Sequence, residues 1–284
     1  LPRLASSLHL PSPDHPPSDI DHAALMGRYT GAMGMTQSHT LLAALASCLL
    51  AACTYEADGA PRGAQGQTLE IAATSPTPGA QGVELRAPID VVFSEAPAAE
   101  TISWKALRLF SGRVETRGTL EVDILERRLR LIPSEPLIAS LRYRVHVLGG
   151  LRGLGGGQSD EEAFIFDFTT GETLGEGPGD RPPVDQAQVE ALFRRRCANC
   201  HQSASPAAAV DLSSAARAIA TMSGQPSPRL GLELLRRGDH PRSYLLRKVL
   251  GSKGIVGFPM PPEGAPLSDQ ELRLVADWID DLGR

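Results

Sequence analysis

Between residues 68 and 168 the apolar positions come in short runs with a period of two. The runs are Thr68–Ala72, Ile89–Phe93, Leu107–Phe110, Thr119–Leu125, Arg128–Ile132, Tyr143–Leu148 and Phe164–Phe168. In the sixth, Val145 and Val147 alternate with Arg144 and His146. In the last, Phe164, Phe166 and Phe168 alternate with Ile165 and Asp167. Successive side chains of a strand point to opposite faces, so this alternation predicts half-buried strands. Such strands separated by turn residues predict a small antiparallel sandwich over 67–171. Leu125-Glu126-Arg127-Arg128 reads as a hairpin corner. His146 falls at an outward position, where a solvent-exposed side chain is expected rather than a ligand.

Glycine and proline then alternate with charge over 172–183, a composition that packs poorly and predicts a linker. Beyond it, residues 184–284 follow a helical period. Asp185, with Gln188 three residues on, opens a first helix in which Val189, Phe193, Cys197 and Cys200 share a face. Asp211–Met222 and Leu230–Arg237 read as short helices, the second closed by Gly238. Asp239-His240-Pro241 opens another, with Tyr244, Leu245 and Val249 inward and Gly251 at its end. Residues 257–262 carry prolines that forbid a helix. The last helix starts at Ser268 with Glu271 as capping partner. Its buried stripe is Leu272, Val275, Trp278, Ile279 and Leu282.

The N-terminal part is of another kind. Residues 1–34 contain Pro-Ser-Pro-Asp-His-Pro-Pro and too little apolar content for a core, so they read as an untranslated or disordered leader. From Met35 a short polar stretch leads into Leu41–Ala52, almost wholly Leu and Ala, which reads as a secretory signal over 35–52. Leu50-Ala51-Ala52-Cys53 resembles the bacterial lipobox, which implies lipidation at Cys53. Cys48 fits the same pattern but leaves too short an apolar region, and the signal lacks Lys or Arg after Met35. Residues 53–66 are glycine-rich and polar, a tether. No stretch of about 20 apolar residues occurs, so no conventional spanning helix is expected. A net charge of −5 gives no electrostatic footprint for nucleic acid. The expected setting is export, to the periplasmic side of a bacterial membrane or the cell surface. A lipid anchor would hold the chain there, with the outer membrane the favoured site.

The chemistry concentrates in Cys197-Ala198-Asn199-Cys200-His201. Cys-x-x-Cys-His is the attachment sequence for a c-type haem. Two thiols at i and i+3 form thioethers to one porphyrin, and the adjacent imidazole reaches the iron as proximal ligand. A zinc site needs about four protein ligands, and the other cysteines, Cys48 and Cys53, lie in the apolar N-terminal stretch. A thioredoxin-like redox pair needs a βαβ unit, which the pattern lacks. For the sixth iron position, a thioether opposite histidine is the ligation of electron-transfer cytochromes. Met260 is the leading candidate; Met222, His240 and open coordination are the alternatives. Arg194-Arg195-Arg196 reads as a solvated helix face, with docking of an acidic redox partner or contact to haem propionates as the other readings.

Two resemblances follow. The 67–171 segment resembles bacterial Ig-like domains of the SbsA type. It carries Pro78-Gly79-Ala80-Gln81-Gly82-Val83 leading into Ile89–Glu95, then Leu131-Ile132-Pro133, Tyr143–Val147 and a Phe168-Thr169-Thr170-Gly171 ending. Residues 184–284 resemble a class I cytochrome c, through Cys197–His201, Met260-Pro261-Pro262, Leu267–Glu271 with Trp278-Ile279, and Pro241–Leu245. In that family the first and last helices cross and pack beside the haem. Together they imply a multidomain chain, an all-β Ig-like sandwich followed by an all-α class I cytochrome c domain. It would hold one covalent haem c on Cys197, Cys200, His201 and Met260 and pass single electrons between redox partner proteins. That is a carrier rather than an enzyme. Two other readings stand beside it. One is a surface adhesion protein with a haem sensor appendage. The other is a peroxidase-like enzyme with an open sixth position.

Overall fold

The computed structural model describes residues 68–202 and 205–284. The expected leader, signal, Cys48, Cys53 and tether lie outside the described residues. Among those described, no helix is long and apolar enough to cross a membrane.

Eight strands form two four-stranded antiparallel sheets. One runs β1 (Ile71–Ser75), β2 (Ile89–Phe93), β6 (Arg128–Pro133), β5 (Gly118–Asp123). The other runs β4 (Val114–Thr116), β3 (Leu107–Ser111), β7 (Arg142–Val147), β8 (Phe164–Thr169). The period of two builds the core. Ile89, Val91 and Phe93 face Leu107, Leu109, Val145 and Phe168 between the sheets, all essentially inaccessible. The outward positions pair by charge. Asp90 lies opposite Arg130, which donates two 2.7 Å hydrogen bonds to its carboxylate. Arg144 and Arg142 share Asp167 across the β7–β8 ladder. That pairing holds the Asp167 carboxyl down at about 2.

The strands predicted from alternation are all present, with two differences. The first begins at Ile71 rather than Thr68 and carries a bulge between Ile71 and Ala73. The three-residue β4 is additional; two of its three residues are exposed, so it carries no alternating signal. The hairpin corner falls where expected. Asp123 accepts hydrogen bonds from the Leu125 and Glu126 amides, and Arg127 takes the left-handed conformation. His146 does face outward, where its ring lies 4.8 Å from that of Phe110.

The helical part comprises α1 (Gln186–Arg196), α2 (Ala198–His201), α3 (Ala215–Met222), α4 (Tyr244–Leu250) and α5 (Asp269–Asp281). Asp185 caps α1 by accepting from the Ala187 amide. At α5 the full reciprocal capping box forms, Ser268 with the Glu271 amide and Glu271 with the Ser268 amide. The predicted stripe is inward, and Trp278 meets Phe193 of α1. Two expectations are corrected. Asp211–Met222 is helical only from Ala215, capped by Ser214. Leu230–Arg237 is not a helix: Gly231 and Gly238 take positive φ at its ends. Glu233 and Leu235 bridge to Pro226, Ser223 and Ser243 instead of to their own turn.

The segment 172–183 joins the two parts but is not loose. Thr173 and Leu174 carbonyls accept from the Leu85 and Arg86 amides, and Arg181 pairs with Asp277 and Asp281 of α5. Nor are the two cores separate. Ile124, at the hairpin corner, is buried in the helical core beside partly buried Leu125, Ala96 and Leu154. Polar contacts rim this junction. Arg273 of α5 binds Asp123, Arg242 donates to the Ala99 carbonyl, and Arg247 of α4 pairs with Glu100.

Candidate haem-attachment site

Helix α1 ends because Cys197 leaves the helical region, at φ −127° and ψ −35°. The chain then makes one short turn, in which the Cys200 and His201 amides both donate to the Cys197 carbonyl, at 3.3 and 3.0 Å. Cys197, Cys200 and His201 therefore sit on a single turn. The break corrects one expectation: Cys200 does not continue the buried face of α1 but is exposed, while Cys197 stays partly covered. Burial pushes the Cys197 thiol up to about 11.

His201 is held by its backbone and by its ring. Its carbonyl accepts from Leu212 at 2.6 Å, and Nδ1 lies 3.2 Å from the Val210 carbonyl. A carbonyl can only accept, so the proton of a neutral ring sits on Nδ1 and Nε2 keeps its lone pair. That is the tautomer that leaves Nε2 free to bind a metal, oriented by a backbone carbonyl, an outer partner usual for such ligands. Sequence reasoning named His201 but missed Val210, since nothing in the local pattern marks a carbonyl nine residues away.

The loop bearing Met260 is fastened to α4. The Met260 amide donates to the Lys248 carbonyl at 3.0 Å. Lys248 Nζ donates to the carbonyls of Val256 (2.5 Å) and Phe258 (2.6 Å), and the Val256 amide donates to Tyr244 Oη at 2.9 Å. Gly251 ends α4 at φ +67°, with Pro259 so close that any side chain at 251 would press on it. Met260 itself is half-buried, and the neighbouring Val256 and Phe258 are exposed.

The other candidates for the sixth position are engaged elsewhere. Met222 is buried in the helical core. His240, read from sequence as a cap or surface residue, is buried with Nδ1 2.8 Å from Asp280 and Nε2 3.9 Å from Asp123. The cap at that turn is Asp239. Arg196 is structural rather than solvated, donating to the Ala265 and Pro266 carbonyls, whereas Arg194 and Arg195 are exposed. Among the described residues, no group of three or more His, Cys, Asp or Glu is placed to hold a metal ion on its own. Two thiols and an oriented imidazole share one turn and suit attachment of a haem there, while Met260 lies on a separate loop fastened to α4.

The family model described as a bacterial Ig-like domain matches residues 66–170. No curated protein matches the chain. Among solved structures, the N-terminal part of the bacterial S-layer protein SbsC is 14% identical with a TM-score of 0.29. The similarity covers 37% of this chain and 24% of that one. An L,D-transpeptidase from Mycobacterium smegmatis is 22% identical with a TM-score of 0.27, over 37% and 41% of the two chains. PcoC, a methionine-rich copper resistance protein from Escherichia coli, is 18% identical with a TM-score of 0.27, over 37% and 99%. The match thus spans a quarter to two fifths of the first two of these proteins. The chain carries a bacterial Ig-like domain, followed by a helical region.

Proposed function

We propose that this chain is an exported, lipid-anchored monohaem c-type cytochrome that passes single electrons between redox partner proteins. Cys197 and Cys200 are the thioether residues, His201 the proximal ligand and Met260 the distal one. The observation that carries the reading is the Nδ1 of His201 against the Val210 carbonyl, within the Cys-x-x-Cys-His turn. That contact leaves Nε2 as the donor atom. The iron, when bound, supplies a one-electron couple; the chain tunes and positions it. His201 is fixed in tautomer and direction, and Met260 supplies a soft sulfur that favours the reduced state. With His201 and Met260 both serving as iron ligands, a bound haem would have no free position for a substrate, and the chain would act as a carrier rather than an enzyme. The bacterial Ig-like match suits an exported protein, and Cys53 supplies the anchor in this reading.

The test is the visible and near-infrared spectrum of protein matured in an exporting host, with and without Met260→Ala. The expected result is covalent haem and a weak long-wavelength thioether–iron band in the oxidised form, which the variant loses. A high-spin spectrum indifferent to the substitution would put a peroxidase-like or sensor role ahead. A chain that leaves the host without haem ends the proposal.

A further inference from the structure

Helix α4 is only seven residues long, yet two consecutive side chains on it serve different parts of the molecule. Adjacent residues on a helix point about 100° apart, so one short helix can face two neighbours at once. Arg247 is 1% exposed and points to the Ig-like domain. Its Nη2 meets Glu100 at 2.5 Å, and its Nε donates to the Pro241 carbonyl at 3.3 Å. Glu100 lies on the short turn Ala99–Thr101 between β2 and β3, whose Ala99 carbonyl also receives Arg242 at 2.8 Å. A guanidinium this deeply buried is held in place by its one carboxylate, because leaving either partner alone is costly.

Lys248, the next residue, turns to the loop. Its ammonium bridges the Val256 and Phe258 carbonyls, and its own carbonyl receives the Met260 amide. One residue thus grips three positions of the segment 256–260 from both its side chain and its backbone. Hydrogen bonds from a charged donor are the stronger kind.

We propose that α4 is a strut between the Ig-like domain and the distal-ligand loop. Glu100 fixes the helix through Arg247, and Lys248 fixes the loop that presents Met260. The proposal rests on the haem reading for its consequence, the geometry of the sixth ligand, but not for the strut itself. It makes the Ig-like domain part of what positions Met260, more than a spacer or interaction module. Lys248 is a positioning residue: it acts on the iron through Met260.

The experiment uses the full chain and the variants Lys248→Met, Glu100→Gln and the milder Glu100→Asp, each first shown to unfold cooperatively. Amide hydrogen exchange at Val256 and Met260 reads the strut without reference to haem. Lys248→Met is expected to speed both by roughly tenfold or more, the scale of losing charge-assisted bonds. Glu100→Gln, or Glu100→Asp if the former does not fold, is expected to speed the same two amides more than those of α5. In haem-loaded protein the same variants are expected to weaken the thioether–iron band and lower the reduction potential, with haem still attached. Unchanged exchange in Lys248→Met overturns the clamp, and exchange that ignores Glu100 overturns the link to the Ig-like domain. A chain without haem that shows the exchange pattern upholds the strut while ending the cytochrome reading. Haem present, exchange altered and a band insensitive to every variant overturns the claim that the strut positions the sixth ligand.

Discussion

Phe193 and Trp278 meet edge to face, with ring centroids 5.4 Å apart and planes at 86°. This contact is where α1 and α5 cross, and both rings are almost wholly buried. It joins the turn that carries the two thiols to the C-terminal helix. Truncating either ring leaves a cavity between the two helices. Phe193→Ala and Trp278→Ala are each expected to cost about 3–5 kcal/mol in denaturant unfolding. The double variant should reveal a coupling of about 0.5–1.5 kcal/mol beyond burial. Additive losses would place the two rings in separate contacts.

The two cysteines should differ in reactivity before any cofactor is attached. Cys200 is exposed, whereas burial raises the Cys197 thiol to about 11. Near pH 8 burial keeps Cys197 mostly as the unreactive thiol rather than the thiolate. Timed iodoacetamide labelling of haem-free chain, read by peptide mass, is expected to modify Cys200 well before Cys197. Equal rates would contradict the break in the chain at Cys197.

Acid should loosen the junction. Burial pushes the Asp123 carboxyl up, but the Arg273 hydrogen bond, the Glu126 amide and the charges of Arg273 and His240 outweigh it and hold it below its ordinary value. Arg128 also stands at 4.0 Å from this carboxylate. A carboxyl whose folded pKa is depressed stabilises the fold above its unfolded pKa and loses that contribution as pH falls through the folded one. Asp167, held at about 2, behaves alike in the sandwich. Melting temperature should therefore be flat near neutrality and fall from about pH 5 downward. Asp123→Asn is expected to cost about 1–3 kcal/mol at pH 7 and to flatten the acid limb. A variant with the wild-type acid profile would remove Asp123 from the account.

The capping box at α5 offers a smaller, cleaner measurement. Ser268 and Glu271 each satisfy the other's backbone amide. Ser268→Ala is expected to lower stability by about 1 kcal/mol. Glu271 also lies within 4 Å of Arg195 and Arg196, so its replacement should cost more. The reverse order would mean that the cap, not the ion pairs, dominates there.

The strands and the outer helices were legible because their signals are local. Alternation in Ile89–Phe93 and the Ser268-x-x-Glu271 spacing each depend on residues within one element. The Cys-x-x-Cys-His turn was legible for the same reason. What escaped the sequence is what depends on distant partners. Leu230–Arg237 carries leucines at helical spacing, yet its backbone groups pair with Ser223, Pro226 and Ser243. His240 looked like a helix start and is a buried residue between two carboxylates from other elements. Arg247 drew no notice at all, because a lone arginine on a short helix reads as solvated. Its carboxylate partner lies 147 residues earlier in the chain. The three-residue β4 is too short for any period to show.

The burial of Arg247 also bears on how such chains can be recombined. The glycine- and proline-rich stretch after residue 171 is the natural place to cut the gene and exchange one half for another. The halves are nonetheless not interchangeable. A helical half carrying Arg247 needs an acidic residue on the turn it meets, and its Arg273 needs the hairpin carboxylate of Asp123. A new N-terminal partner lacking these would leave a guanidinium in apolar surroundings. The two halves are therefore expected to change together, charge for charge, across a boundary that composition alone marks as free.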